Sequence, residues 1–492
     1  MTSFLRKNKG VTAVIGSARN DFVFNTMRTL GKDGANVYAV AKQDRLESFR
    51  EQGFKAYGFS GAISWLNLSV LKSLCQIAPD RIVVVVGDQF IHFNVFRALN
   101  IWMKTGLLKK TSVFTSYSFA PGQLEPWDVG RVGPKKQAAP AGKQEGSMNF
   151  HLIAAVWGKQ YTDLFLNVNL PNLLTPGNLE AISSKADCVL KVYTTSDDAE
   201  TIANHRFFKE AGCLMKTEII TMDYLFRTRG YSVPTSILLM TQCHRSAVRS
   251  ASGQNTALIF LSPDTVISEK ALERVCNVVY SGKRVIMVVG LSVSKEAFLS
   301  EFIKRFHNAD GHFPAPSRPI VELALKCLHP MTNSCFINNN RFTSAPSNLF
   351  WRVNGEGFVA RSLYMHPLMI YPRNSSAVPF GAIDTDYLQS ACPDYSDYYV
   401  VTDSDDIALF ELSDDKKGFD FIQEGRFNLF RFADFIKRKG NDIHYKLLRE
   451  KILFHQQDLT LKWKDVEKAS DKIINKALVL KNFAGITRRF TA

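Results

Sequence analysis

Apolar and polar positions divide the chain into stretches of two rhythms. Across residues 1–120, short apolar runs alternate with segments of helical period. Val11 to Ile15 predicts a strand, Asp21 to Leu30 a helix, Asn36 to Ala41 a second strand and Leu68 to Ile77 another helix. Arg81 to Val86 places four consecutive valines after an isoleucine, between Pro79 and Gly87. A continuous β-branched run bounded by turn residues is what a strand buried on both faces requires. Strands alternating with helices predict a doubly wound, Rossmann-like α/β domain. The turn after the first strand reads Gly16-Ser-Ala-Arg-Asn20, without the three glycines of a dinucleotide fingerprint. A helix N-terminus there could still hold an anion, so nucleotide binding and a structural or partner-binding role both stay open.

The rhythm stops between Phe119 and Met148. Gly133-Pro-Lys-Lys-Gln-Ala-Ala-Pro-Ala-Gly-Lys-Gln-Glu-Gly-Ser147 has no apolar period and predicts a solvated linker, placed at residues 121–148. A second α/β pattern then starts afresh and is placed at residues 149–410. Its predicted strands are Phe150 to Val156, Cys188 to Tyr193, Ala257 to Leu261 and Lys283 to Val289. Its predicted helices are Tyr161 to Leu170, Ala199 to Ala211 and Gln242 to Ser252. Residues 411–492 carry mainly helical periodicity, with Phe427, Phe430, Phe435, Ile436, Ile452 and Leu453 among the recurring apolar positions. No internal repeat is visible.

Composition narrows the class. With 46% hydrophobic and 22% charged residues the chain is an ordinary globular protein, not a disordered or fibrous one. No apolar run approaches the ~20 residues that span a bilayer. Residues 1–10 carry Arg6, Lys7 and Lys9 without a following apolar block, so no secretory signal is expected. The eight cysteines lie far apart and form no Cys-x-x-Cys pair, which argues against a zinc ribbon or a disulfide scaffold and fits a cytoplasmic setting. No Gly-x-Ser-x-Gly elbow, Walker sequence or compact zinc motif occurs, so hydrolase and phosphate-loop readings are weak. The formal net charge of +15 attracts polyanions or serves solubility. From Lys416 onward basic residues outnumber acidic ones about two to one.

The candidate chemistry centres on Asn255 to Glu269, a buried strand whose last turn, Ser262-Pro-Asp264, presents a carboxylate. In an open α/β sheet, ligands bind beyond the carboxyl ends of the strands. Asp264 there could hold a divalent cation against a diphosphate, or cap a helix beginning near Ser268. Glu356 to Arg373 puts His366 at the front of an apolar run, as a further ligand or a satisfied structural histidine. Asp384-Thr-Asp386 and Asp403-Ser-Asp-Asp406 form an acidic stretch that can bind a cation, act as base toward a hydroxyl, or simply be solvated. The first of these is preferred as base, because it follows the Gly381-Ala-Ile run that would end a strand.

Residues 149–410 resemble glycosyltransferases of the GT-A type, enzymes that use nucleotide-sugar donors. The resemblance is carried by Phe150–Val156 with the helix behind it, by Tyr193-Thr-Thr-Ser-Asp-Asp198, by the small-residue helix Gln242 to Ala251 and by Phe260-Leu-Ser-Pro-Asp264. It implies a mixed central sheet and a nucleotide-sugar held by Trp157, Thr194, Thr195, Asp197, Asp198, Arg245 and Ser262. It further implies a manganese or magnesium ion on Asp264 and His366, and Asp384 or Asp386 as base. The family's usual Asp-x-Asp reads Ser262-Pro-Asp264 here, a departure from the pattern. The expected activity is transfer of a sugar to a glycan, lipid-linked or protein acceptor in cell-envelope or surface glycan synthesis. The basic C-terminal helices could contact the inner face of a membrane. Two other readings remain: a nucleic-acid or polyanion binder, against which the absence of a recognised motif argues, and a non-catalytic scaffold of degenerate α/β units.

Overall fold

A computed structural model describes residues 11–15, 21–32, 35–42, 46–59, 74, 77, 79–86, 112–117, 125–126, 148–223, 236–379, 383–416 and 418–483. The first turn Gly16–Asn20, most of the predicted helix 68–77 and nearly all of the predicted linker lie outside these residues. The chain divides into two compact units, one of Met1–Gly142 with Met222–Gln242, the other of Lys143–Thr221 with Cys243–Ala492.

In the first unit the three expected strands form at β1 (Val11–Ile15), β2 (Asn36–Lys42) and β4 (Arg81–Val86), and three that were not expected join them, β3 (Lys55–Phe59), β5 (Ser112–Tyr117) and, within the stretch expected to be linker, the short β6 (Glu125–Pro126). They assemble in the order β3-β2-β1-β4-β5-β6. β1 to β5 run parallel, and β6 returns antiparallel on β5. The helix Asp21–Lys32 sets Val23, Phe24, Met27 and Leu30 into a core with Val14, Ala39, Phe49 and Val83. The spacing of those four residues is the apolar stripe of a surface helix.

The second unit is built on a mixed sheet, as the resemblance implied. Its first strands are β7 (Asn149–Ala155), β8 (Asp187–Thr194), β9 (Lys216–Thr221) and β10 (Thr256–Leu261). β11 (Thr265–Ile267), β12 (Val285–Val288), β13 (Gly290–Ser294), β14 (Arg341–Thr343), β15 (Asn348–Val353), β16 (Gly357–Ser362) and β17 (His366–Ile370) follow. The last are β18 (Tyr398–Val400), β19 (Leu409–Ser413), β20 (Ile422–Glu424) and β21 (Ile452–His455). The large sheet has the order β18-β12-β17-β10-β7-β8-β9. β17 runs antiparallel to both its neighbours, β10 and β12, while the other pairings are parallel. Every residue of β10 is buried, as a strand covered on both faces demands. The chain leaves β7 to one side through β8 and β9 and resumes on the other with β10. The strand order therefore reverses between β7 and β10, the position at which a doubly wound sheet opens a crevice.

Several predicted elements are redrawn. The helix expected over Ala199 to Ala211 is two, Ser196–Asn204 and Arg206–Leu214, because His205 takes an extended conformation (φ −69°, ψ 140°). The helix expected from Gln242 begins earlier, at Ser236. Ile452 and Leu453, placed in a helical pattern, lie in β21, which pairs with β16. Short apolar runs are ambiguous between the two periods, and here cross-strand pairing decides. The run before Asp384 ends no described strand, since Ile383–Tyr387 is a π-helical turn. In the C-terminal region the helix Leu429–Lys439 buries Phe432, Phe435 and Ile436 against Trp463, Ile474 and Ala477, all three from the helix Lys462–Phe483. Phe430, expected on that apolar stripe, is instead 62% exposed. Among the described residues, no helix is long and apolar enough to cross a membrane.

Candidate functional site at the carboxyl ends of the central strands

The register of the large sheet sets three chain segments side by side. Ala155 pairs with Tyr193, so Val156 and Trp157 leave β7 beside Thr194 and Thr195 leaving β8. Ala154 pairs with Leu261, which brings Ser262 to the other flank of β7. Trp157, Thr194 to Asp198 and Ser262 to Asp264 thus sit at one edge of the sheet, on both sides of the switch point. Trp157 and Thr195 are half-buried, Thr194 is buried and Asp197 is exposed.

Asp198 links two of these segments. Its Oδ2 accepts from the Gly158 amide at 2.8 Å and from the Thr195 hydroxyl at 2.8 Å, and its Oδ1 accepts from the Thr162 hydroxyl at 3.0 Å. Thr195 in turn caps the helix Ser196–Asn204 by accepting from the Asp198 amide. With both carboxylate oxygens engaged, Asp198 fixes the geometry of the loops that follow β7 and β8.

Asp264 occupies the tight turn from β10 into β11, where the Thr265 hydroxyl donates to the Ser262 carbonyl at 2.8 Å. The alternative that Asp264 caps a helix fails. The chain enters β11 directly, and the next helix starts only at Ala271, after Lys270 in the left-handed region (φ 60°). The Asp264 carbonyl accepts from the Leu412 amide at 2.7 Å, which anchors the turn to β19.

His366 opens β17 between the ends of β10 and β12. Its Nε2 lies 3.0 Å from the Phe260 carbonyl. A carbonyl only accepts, so Nε2 carries the proton and Nδ1 holds the lone pair of the neutral ring. Burial lowers the His366 pKa, which favours that neutral form. A small cavity opens here, lined by Asn169, Phe260, Ser262, Thr265, His366 and Glu411 among others. Asn169 donates from Nδ2 to the Thr265 carbonyl at 2.8 Å and to the Ser262 carbonyl at 3.3 Å, while its buried Oδ1 has no hydrogen-bond partner. Asn169 and Glu411 escaped the sequence reading. One sits mid-helix and the other in a strand far along the chain, and neither spacing nor neighbours mark them.

Arg245 and Asp384 bond to other segments of the chain. Buried Arg245 donates from Nη1 to the Pro379 carbonyl at 2.8 Å. Asp384 is half-buried in the turn Ile383–Tyr387, and its carbonyl lies 3.0 Å from His444 Nε2. Asp386 lies in the same turn.

A second group of polar side chains was only half visible in the sequence. Asp403 and Asp405 follow β18 at the same edge of the sheet, at its far end. They meet His455 of β21, and one ligand atom from each residue lies within 4.8 Å of the others. The acidic pair stood out in the sequence. His455, fifty residues on and at the end of a short apolar run, did not.

No family model matches the sequence, and no curated protein matches it. Among solved structures, mouse xyloside xylosyltransferase 1 (apo form) is similar at 15% identity over 32% of this chain, with a TM-score of 0.21. A putative glucose-1-phosphate thymidylyltransferase from Bacillus anthracis is similar at 10% identity over 30% of this chain, with a TM-score of 0.18. The glycosyltransferase VinC, solved in complex with dTDP, is similar at 12% identity over 44% of this chain, with a TM-score of 0.14. The matched region spans 60% of the first of these proteins and 57% of the second. At such TM-scores none of them identifies this chain.

Proposed function

We propose that the chain transfers a sugar from a nucleotide-sugar donor to an acceptor hydroxyl, with the catalytic machinery in residues 149–410. The observation that carries this reading is the meeting of Trp157, Thr194–Asp198 and Ser262–Asp264 at the switch point of a mixed sheet, beside a small cavity lined by Ser262 and His366. Trp157, Thr194, Thr195 and Asp197 would contact the nucleoside, and Ser262 and Asp264 the diphosphate. Arg245 would act through the segment it holds at Pro379, and Asp198 through the two loops it joins. The buried, unpartnered Asn169 Oδ1 suits a hydroxyl donor of the sugar.

Departure of a nucleoside diphosphate develops negative charge that must be neutralised. Manganese or magnesium would supply that, taking oxygens from Asp264 and the phosphates. His366 could add Nδ1, since its Nε2 donates to the Phe260 carbonyl, the arrangement that orients a metal-bound histidine. Asp384 or Asp386 would be the base that removes the acceptor proton. The acceptor class is a glycan, a lipid-linked molecule or a protein of the cell envelope. The reaction would run in the cytoplasm or at the inner face of a membrane.

Thermal unfolding against UDP, GDP, CDP and dTDP, with and without manganese, tests the reading. The expected result is a nucleotide-selective rise in melting temperature that grows with the metal. Asp264→Asn should abolish that rise while leaving the ligand-free melting temperature within a few degrees of the parent. Indifference to every nucleotide, or stabilisation by oligonucleotides alone, would remove sugar transfer from consideration.

A further inference from the structure

We infer that Asp403, Asp405 and His455 form a binding site for a divalent transition-metal ion, separate from the switch-point cavity and standing independently of the function proposed above. The three residues come from two distant segments that the fold fastens together. The Ser404 amide donates to the Leu453 carbonyl at 2.9 Å, and the Leu453 amide to the Thr402 carbonyl at 2.8 Å. The His455 amide donates to the Ser404 hydroxyl at 3.2 Å. The Asp405 amide donates to Asp403 Oδ1 at 2.8 Å. These bonds fix the backbone beneath all three ligands, so the site is organised before any ion arrives.

The orientation of the imidazole points to the ligand. His455 has a side chain only 3% exposed, and its Nδ1 lies 2.7 Å from the Gln457 carbonyl. A carbonyl only accepts, so Nδ1 must carry a proton. The other ring nitrogen, Nε2, donates its proton to Asp403 while no ion is bound, and a metal would take that proton's place. Nε2 faces Asp403 Oδ1 at 2.8 Å and Asp405 Oδ2 at 3.9 Å. A backbone carbonyl on one ring nitrogen with the other aimed at oxygen ligands is the arrangement that orients metal-bound histidines.

The charge balance agrees. Arg318 reaches both oxygens of Asp405 from Nε at 3.2 and 3.1 Å, and Oδ2 from Nη2 at 2.9 Å. The same guanidinium contacts Asp458 at 2.7 Å. Three carboxylates against one guanidinium leave two negative charges once an entering metal has displaced the His455 proton, the complement of a divalent cation. Asp406, the next acid, is already held by Arg274 at 2.5 Å. Each carboxylate oxygen has two lone pairs, so Asp405 can accept from Arg318 and still bind a metal. Two oxygens with one imidazole nitrogen suit manganese, cobalt or zinc better than calcium. An open cavity walled by Arg318, Pro319, Glu322, Gln456 and Gln457 adjoins the group. Water from it would fill the remaining coordination positions, and the ion would clasp the segment after β18 to β21.

Titration of the full-length, nucleotide-free protein with cobalt(II) tests this. The expected result is a saturable visible absorption at one ion per chain, competed by zinc, with a higher melting temperature in the loaded protein. His455→Gln and Asp403→Asn should each weaken binding at least about tenfold. If either variant misfolds, nitrogen coupling in the electron spin-echo spectrum of the manganese-loaded parent reports the imidazole directly. Absence of saturable binding to the parent would overturn the site and leave His455 as the cation of an ion pair. Equal affinity in the Asp403→Asn/His455→Gln double variant would overturn it as well, since the metal would then be held elsewhere.

Discussion

His151 shows how strongly one position can be constrained by the strand it occupies. It lies on β7, 6% exposed, in a part of the sheet that also holds Lys191 and Glu218. Burial, reinforced by the nearby Lys191 ammonium, lowers its pKa to about 4 from an ordinary value near 6.5, and its Nδ1 has no hydrogen-bond partner. The folded protein therefore holds His151 neutral in a pH range where the unfolded chain protonates it. A depressed pKa contributes stability that is complete above about 6.5 and is lost as the pH falls toward about 4. Urea unfolding at pH 7.5, 6 and 5 should show the free energy falling with pH, and His151→Gln should make that fall shallower. A variant whose decline parallels the parent's would remove His151 as a cause. His244, buried and shifted the same way to about 3, belongs to the remaining slope. None of this was legible in the sequence. A histidine inside a strand run looks the same whether it binds a ligand or is simply buried.

At the scale of elements, legibility followed the strength of the local pattern. β1, β4, β7, β8 and β10 were readable because strands buried on both faces need continuous β-branched and apolar runs, and helices flanked them. β21 and the break at His205 were not, because each depends on partners distant in sequence. The candidate site divides the same way. Ser262-Pro-Asp264 was marked by its place at the end of a buried strand, whereas Asn169, Glu411 and His455 reach their positions only through packing. The docking of the last helix is a similar long-range feature. Arg361 of β16, 1% exposed, donates to the Ser470 hydroxyl at 3.0 and 2.8 Å, to the Arg449 carbonyl at 2.5 Å and to Asp471. Asp471 is 42% exposed, so water takes over part of its role, and Asp471→Asn should cost on the order of 1–2 kcal/mol in urea unfolding. The exposed pair Lys159–Asp163 provides the contrast, since its loss should leave the urea midpoint unchanged. Equal effects from the two would mean that the Arg361 network contributes nothing to holding the helix.

For the whole molecule, the net charge of +15 still calls for a counterpart, and the C-terminal region gives it a particular form. Lying flat in a membrane surface would require the apolar stripe of the helix Leu429–Lys439 to face lipid. Phe432, Phe435 and Ile436 instead fill the core beside Trp463, so that mode is closed while the region stays folded. What remains exposed is a smaller set of rings, Phe419 at 45%, Phe421 at 50% and Phe430 at 62%, in a stretch that carries Lys416, Arg426 and Arg431 interleaved with Asp415, Asp420 and Glu424. Basic residues near an anionic surface contribute about 1 kcal/mol each, and this falls away within a Debye length of about 8 Å at physiological salt. Peripheral contact of this kind should therefore be weak and strongly salt-dependent. In flotation assays the full chain should rise with phosphatidylserine vesicles at low salt, stay down with neutral vesicles, and be released at high salt. A Phe419→Ser/Phe421→Ser/Phe430→Ser variant, which touches no buried side chain, should lose most of that association at an unchanged melting temperature. If the parent fails to float with anionic vesicles even at low salt, the exposed rings have another purpose and the charge serves a soluble polyanion. If it floats and the triple variant floats equally, the attraction is electrostatic alone and the phenylalanines take no part in it.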